Sequence, residues 1–169
     1  MADAIVRPPR RFLDLGSGGG VPGLALLDRW RSSEAVLLDA RQRRAAFLGQ
    51  AVDDLGFRGR AEVLGERAEV AARDPARREH FDLVVARSFA GPAVTAECGV
   101  GFLEPGGVLL VADPPDAGPD RWPADSLAEL GLVADPATTG GPSLTRLRLP
   151  GRVADRWPRR APAKRPLWV

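Results

Sequence analysis

Short apolar blocks, each closed by glycine, proline or charge, alternate along the chain with stretches whose apolar residues return every third or fourth position. Phe12, Leu13 and Leu15 suit a buried parallel strand, as do Ala35–Asp39, Ala61–Leu64, Phe81–Arg87 (the clearest) and Val108–Ala112. Between them the spacing predicts a helix over Pro22–Arg31 with Leu24, Leu27 and Trp30 on one face. A second helix, Arg41–Leu55, carries Phe47, Leu48, Ala51, Val52 and Leu55 as its apolar positions, with Gly56 as its stop. A short helix over Glu66–Arg73 breaks at Asp74-Pro75, and one over Ala93–Leu103 leads into a tight turn at Glu104-Pro105-Gly106-Gly107. After a Pro/Gly-rich loop at 113–123 come a weak helix near Ser126–Leu130 and two edge strands, Leu132–Ala134 and Leu144–Leu149. The Thr138–Pro142 loop between these is compatible with a hairpin. That order predicts an α/β fold: a doubly wound, seven-stranded, mostly parallel, Rossmann-like sheet with an antiparallel end strand.

Composition narrows the chemistry. The 169 residues suffice for one domain, read as 1–150, with a basic Pro/Arg-rich tail at 151–169. That tail holds Arg152, Arg156, Arg159, Arg160, Lys164 and Arg165 against Asp155 alone, so the rest of a chain of formal charge +2 is acidic on balance. A basic tail on an acidic body points to a polyanion partner, the alternative being a solvated, disordered end. No apolar run approaches the roughly 20 residues of a spanning helix. Met1–Arg11 has no signal-peptide apolar region, so the expected location is cytoplasmic and no membrane partner is expected. Cys98 and His80 are the sole cysteine and histidine, which excludes an internal disulfide and a Cys/His metal centre, and no metal is expected. Lys164 is the sole lysine, and Tyr and Asn are absent, as codon bias would produce.

The segment Phe12 to Gly23 carries the candidate cofactor chemistry. An apolar strand holding Asp14 runs into Gly16-Ser17-Gly18-Gly19-Gly20, then Pro22 at the start of a helix. D-x-G-x-G-x-G is how doubly wound sheets hold an adenosyl or nucleotide group at the end of their first strand. A dinucleotide oxidoreductase and an S-adenosylmethionine (AdoMet) methyltransferase both fit such a turn. Asp14 would repel a pyrophosphate, but it can bind the methionine amino group or order the turn. Glu104-Pro105-Gly106-Gly107 resembles the L-x-P-G-G turn of methyltransferases, and no Tyr-x-x-x-Lys pair is present for hydride transfer. A class I AdoMet methyltransferase is therefore the favoured reading, with Asp14, Gly16, Ser17, Gly18, Gly20 and Pro22 forming the turn. Asp39, followed by Ala40, would accept ribose hydroxyls in a charge-assisted contact, or else cap the helix starting near Arg41. Ala68-Glu69 is placed to face the adenine edge, with a solvated helix face as the alternative for Glu69.

With those residues placed, the chain resembles the bacterial small-subunit rRNA guanine-N7 methyltransferase family, also called glucose-inhibited division protein B. Gly16-Ser17-Gly18-Gly19-Gly20-Val21-Pro22-Gly23 is similar to its G-[ST]-G-x-G-[FLV]-P-G turn. Leu38-Asp39-Ala40-Arg41-Gln42-Arg43-Arg44-Ala45-Ala46-Phe47-Leu48 is similar to its L-D-S-x-x-K-R-x-x-F-L helix start. Arg67-Ala68-Glu69 matches its R-A-E, and Ala86-Arg87-Ser88-Phe89-Ala90 resembles its S-R-A-x-A. Trp157-Pro158-Arg159-Arg160 through Pro166-Leu167 is similar to its basic ending. Against the family's pattern the chain reads as N-terminally shortened and divergent. Its first strand starts by residue 11, and Asp113 stands near the end of strand five where the family places a lysine.

The resemblance implies AdoMet as cofactor, methylation of a guanine N7 in small-subunit rRNA, and the ribosomal subunit or its RNA as partner of a monomeric enzyme. Guanine N7 carries a free lone pair, so no proton need leave it before attack, and placement supplies the rate. Arg87, Arg67 and Arg43 are the implied catalytic candidates, Arg67 and Arg87 also bordering the cofactor. Arg44, Arg159, Arg160, Lys164 and Arg165 are the implied RNA contacts; surface salt bridges are the alternative for each. Phe89 is a candidate stacking platform or a core residue. Two further readings stay open: a small-molecule methyltransferase, and a catalytically silent AdoMet-fold protein that binds RNA or a protein partner. Asp113-Pro114-Pro115-Asp116 lacks the aromatic and the strand-four position of an amino-methyltransferase motif and reads as a loop. His80 reads as a surface residue. Trp122, Trp157 and Trp168 either anchor the tail or stack on bases.

Overall fold

Residues 1–5, 7–135 and 144–169 are described by the structure, a computed structural model. Strands β1 (Arg11–Leu15), β2 (Glu34–Leu38), β3 (Ala61–Leu64), β4 (Phe81–Arg87), β5 (Leu103–Ala112), β6 (Val133–Ala134) and β7 (Leu144–Arg148) form one sheet in the order β3-β2-β1-β4-β5-β7-β6. β1 to β5 run parallel, while β7 is antiparallel to β5 and to β6. This is the predicted doubly wound sheet with its antiparallel end. The predicted hairpin loop at Thr138–Pro142 lies outside the described residues.

Alternation along the buried strands sorts side chains onto two faces. Leu13, Leu15, Val84, Ala86, Leu109 and Val111 face α3 (Ala68–Ala71), α4 (Pro92–Val100) and α5 (Ala124–Glu129). Phe12, Leu37, Leu83, Val85 and Leu110 face α1 (Gly23–Arg29) and α2 (Gln42–Asp54), where Trp30 meets Phe12 edge to face at 5.6 Å. Cys98 is buried within α4, and burial pushes its thiol up to about 12.

Several boundaries differ from expectation. The Glu104–Gly107 turn is absorbed into β5 as an irregularity between the Phe81↔Leu103 and Leu83↔Val108 pairs, because Gly106 N–H finds Leu149 O at 2.7 Å. The helix expected over Ala93–Leu103 stops at Val100, followed by Gly101 and the buried Phe102. Only Leu48 and Val52 of α2 are buried, while Phe47 and the C-cap residue Leu55 stand exposed.

The tail is fastened to the body. Trp157 is buried, its indole N–H on Glu129 O at 3.0 Å, and the guanidinium groups of Arg73 and Arg78 donate to the carbonyls of Pro158, Trp157 and Ala154. Trp168 donates to Arg121 O at 3.0 Å and packs edge to face on Trp122. These tryptophans therefore anchor the tail, and residues 151–169 are not a free arm. Among the described residues no helix is long and apolar enough to cross a membrane, and no cluster of His, Cys, Asp and Glu is placed to hold a metal.

Candidate active site

β1 lies between β2 and β4, so the connections leaving its neighbours diverge and open a crevice at the carboxyl ends of the strands. The glycine turn enters that crevice. Gly16 and Ser17 both donate to Leu38 O at 2.9 Å, and Gly18 donates to Asp39 Oδ2 at 3.0 Å, which ties the turn to the end of β2. Gly16 has φ +76°, and a Cβ there would stand 2.6 Å from the Phe89 ring, so no larger residue fits.

Asp14 lies one layer beneath. Its buried carboxylate accepts the Gly23 N–H at 2.9 Å, and a Cβ on Gly23 would come within 2.5 Å of it. Burial raises its pKa to about 6, with the Gly23 hydrogen bond pulling the other way. The carboxylate thereby ties the first residue of α1 to the end of β1. Gly20 and Pro22 are likewise buried behind the turn.

Asp39 is nearly buried. Oδ1 accepts the Arg41 N–H at 2.8 Å, and Arg44 reaches within 3.5 Å of Oδ2. The carboxylate thus braces the turn before α2 and, having about four acceptor sites, keeps capacity for two hydroxyls.

Three adjoining hollows open here. The largest, about 690 Å³, is bounded by the glycine turn, Arg43, Arg44, Phe47 and Arg87. The second, about 170 Å³, is bordered by the charged Asp39, Glu66, Arg41 and Arg44 and by the apolar Ala40, Ala68 and Phe89. The third, about 470 Å³, lies between Arg87, Phe89, Pro114 and Arg121. Ser88 borders all three and holds φ +55°, a strained value for a residue with a Cβ.

The crevice brings together Gly16, Ser17, Gly18, Asp39, Ala40, Ala68, Arg43, Arg44 and Arg87. Arg67 instead turns to Glu69, Nε to Oε1 at 2.6 Å, and Glu69 is buried rather than on a solvated helix face. Arg159 is taken by the fully buried Glu97, whereas Arg160, Lys164 and Arg165 are exposed. Phe89 is half-buried against the core and also borders two hollows. His80 is exposed at the opposite end of β4. The Asp113 side chain, 4% exposed, accepts from Arg121 at 2.8 Å, from Trp122 at 3.2 Å and from the Thr145 hydroxyl of β7, so its charge is locally compensated. Sequence reasoning assigned Ser88 no role and placed Phe47 in the core. Phe47 lies one helical turn beyond Arg43, a spacing that could have shown it; the backbone angle of Ser88 has no such signal.

Comparison with known proteins bears on the family and the fold. The sequence profile of a family described as rRNA small subunit methyltransferase G matches residues 3–113. Ribosomal RNA small subunit methyltransferase G of Moorella thermoacetica is 34% identical across 96% of this chain and 71% of its own length. The same-named protein of Prochlorococcus marinus (strain NATL1A) is 38% identical across 60% of this chain and 41% of its own length. The chain thus spans about two fifths of several curated relatives it matches. Among solved structures, an O-methyltransferase family protein from Burkholderia thailandensis superposes with a TM-score of 0.67 at 15% identity, covering 85% of this chain and 52% of that one. An O-methyltransferase from neocarzinostatin biosynthesis, solved with S-adenosyl-L-homocysteine, gives 0.64 at 20% identity, covering 85% and 49%. These likenesses speak for the fold.

Proposed function

The chain belongs to the rRNA small subunit methyltransferase G family, and on that premise we propose that it is an AdoMet-dependent methyltransferase acting on N7 of a guanine in small-subunit rRNA. The observation that carries this reading is the junction of a carboxylate-and-apolar hollow with a larger one ringed by Arg43, Arg44 and Arg87. Residues 1–150 form the methyltransferase domain, 151–169 a basic strap on it, and the protein works as a cytoplasmic monomer.

The residues fit the cofactor. Asp39 retains acceptor capacity for ribose hydroxyls, Ala40 and Ala68 offer apolar walls to an adenine, and Gly18 and Gly19 border the hollow without a side chain to fill it. AdoMet supplies an electrophilic methyl group when bound. Guanine N7 attacks with its own lone pair, so the site needs no general base. The chain's task is to hold the base in line and exclude water. Arg87 and Arg43 are the groups available to grip phosphates or the guanine O6, leaving N7 free. Asp113 does not oppose them, being neutralised by Arg121.

Calorimetric titration with AdoMet and with S-adenosylhomocysteine tests the cofactor. Transfer of a labelled methyl group to naked rRNA and to small subunits, with nucleoside analysis of the product, tests the reaction. Label recovered as 7-methylguanosine supports the proposal. Binding without transfer to either substrate would withdraw the activity, and no binding at millimolar ligand would withdraw the cofactor.

A further inference from the structure

Phe47 is 56% exposed at the mouth of the largest hollow, opposite the glycine turn. A helix places residues four apart side by side, so the Arg43 guanidinium and the Phe47 ring share one edge of α2. Arg44 is held over the turn by Asp39, and Arg87 enters from the end of β4. No acidic residue lines this hollow; among the described residues neither Arg43 nor Arg87 forms an ion pair, and the carboxylate Arg87 acts on, Asp14, is buried beneath the turn. A lone apolar ring beside three cations suits a ligand that is flat at one point and anionic on both sides.

Taking the proposed function as premise, we infer that this hollow is the subsite for one unstacked nucleotide of single-stranded RNA, its base lying on the Phe47 ring and its flanking phosphates on Arg43 and Arg87. Aromatic rings bind unpaired bases by stacking, and arginines track the backbone on either side. The exposure of Phe47 then has a physical reason, since a ring covered by protein could not receive a base. A second polypeptide segment could also cover an apolar ring, but two guanidinium groups outside any ion pair, Arg43 and Arg87, with Arg44 beside them, favour the polyanion.

The test uses the full chain and two fluorescein-labelled single-stranded RNAs, one with a single guanine among uridines and one abasic at that guanine, titrated by anisotropy. Stacking of one base is worth about five- to 150-fold in affinity. The wild type should prefer the intact RNA by a factor in that range. Phe47→Ala should bind both RNAs alike, at the wild type's affinity for the abasic strand, with an unchanged melting temperature. Phe47→Trp should restore the preference. If Phe47→Ala keeps the full preference, the base lies elsewhere and the inference is overturned while the methyltransferase reading stands. If the wild type does not distinguish the RNAs, the ring serves another occupant. If it binds neither RNA, the rRNA substrate falls with the inference, a result that AdoMet calorimetry leaves separate from the cofactor.

Discussion

The guanidinium of Arg159 closes on both carboxylate oxygens of Glu97, Nε to Oε1 at 2.8 Å and Nη2 to Oε2 at 2.5 Å, and the Arg159 backbone N–H adds a third bond at 2.7 Å. Glu97 has no solvent exposure, so its charge is tolerable only with this fork in place. Arg159→Ala leaves a buried anion and should cost about 3–5 kcal/mol in urea unfolding. The double variant Glu97→Met with Arg159→Met should lose clearly less. With Glu97→Met measured as well, a double loss equal to the sum of the two single losses would show that the pair is not coupled.

Asp14 sets a pH dependence. Its native pKa of about 6 lies above the unfolded value near 3.8, so between these the native state holds a proton that the unfolded chain has released. Stability should therefore fall as pH rises through that window, by about 3 kcal/mol, and level off above it. In Asp14→Asn this component should vanish, leaving the variant relatively more stable at neutral pH. Parallel wild-type and variant profiles would contradict it.

Asp39→Asn keeps an acceptor for a backbone amide but loses the charge. Hydrogen bonds to a charged group contribute about 1.5–3 kcal/mol, so AdoMet affinity should drop about ten- to 150-fold. Asp39→Ala also frees the Gly18 and Arg41 amides and should abolish binding. Calorimetry reads both.

RNA affinity should decline with salt. If Arg43, Arg44, Arg87, Arg160, Lys164 and Arg165 each neutralise a phosphate, the slope of log affinity against log salt is about −4 on a single strand. Replacing the three tail cations by alanine should bring it to about −2. An unchanged slope would remove the tail from the interface.

Ser88→Gly should stabilise the fold. A left-handed residue with a Cβ costs about 1–2 kcal/mol, and glycine's extra unfolded entropy returns about 0.5–1 of that. A gain of about 0.5–1 kcal/mol is expected from Ser88→Gly but not from Ser88→Ala.

The sheet was legible because its signals are local: Phe12 to Gly23 states strand, turn and helix start within one stretch, and Asp39 closes a second strand. The crevice residues Gly16, Gly18, Asp39 and Ala68 followed from their place at strand ends. The rest depends on distant partners. Nothing near Arg159 announces Glu97, whose side chain lies 62 positions away in sequence. Arg67 pairs with a near neighbour, Glu69, but only the buried setting of that carboxylate fixes the pairing. Helical spacing gives the direction of Phe47 but not whether another layer covers it. Gly106 pairs with Leu149, so a sequence that spells a turn extends a strand instead.

Cys98, the chain's only thiol, lies inside α4 and stays protonated far above neutral pH. Only a thiolate reacts readily with alkylating reagents, and here the sulfur must first reach water. Its modification rate therefore counts openings of the core, one irreversible event per molecule. Slowing of that clock by a ligand would report binding in a sample that carries no dye, no tag and no substrate turnover.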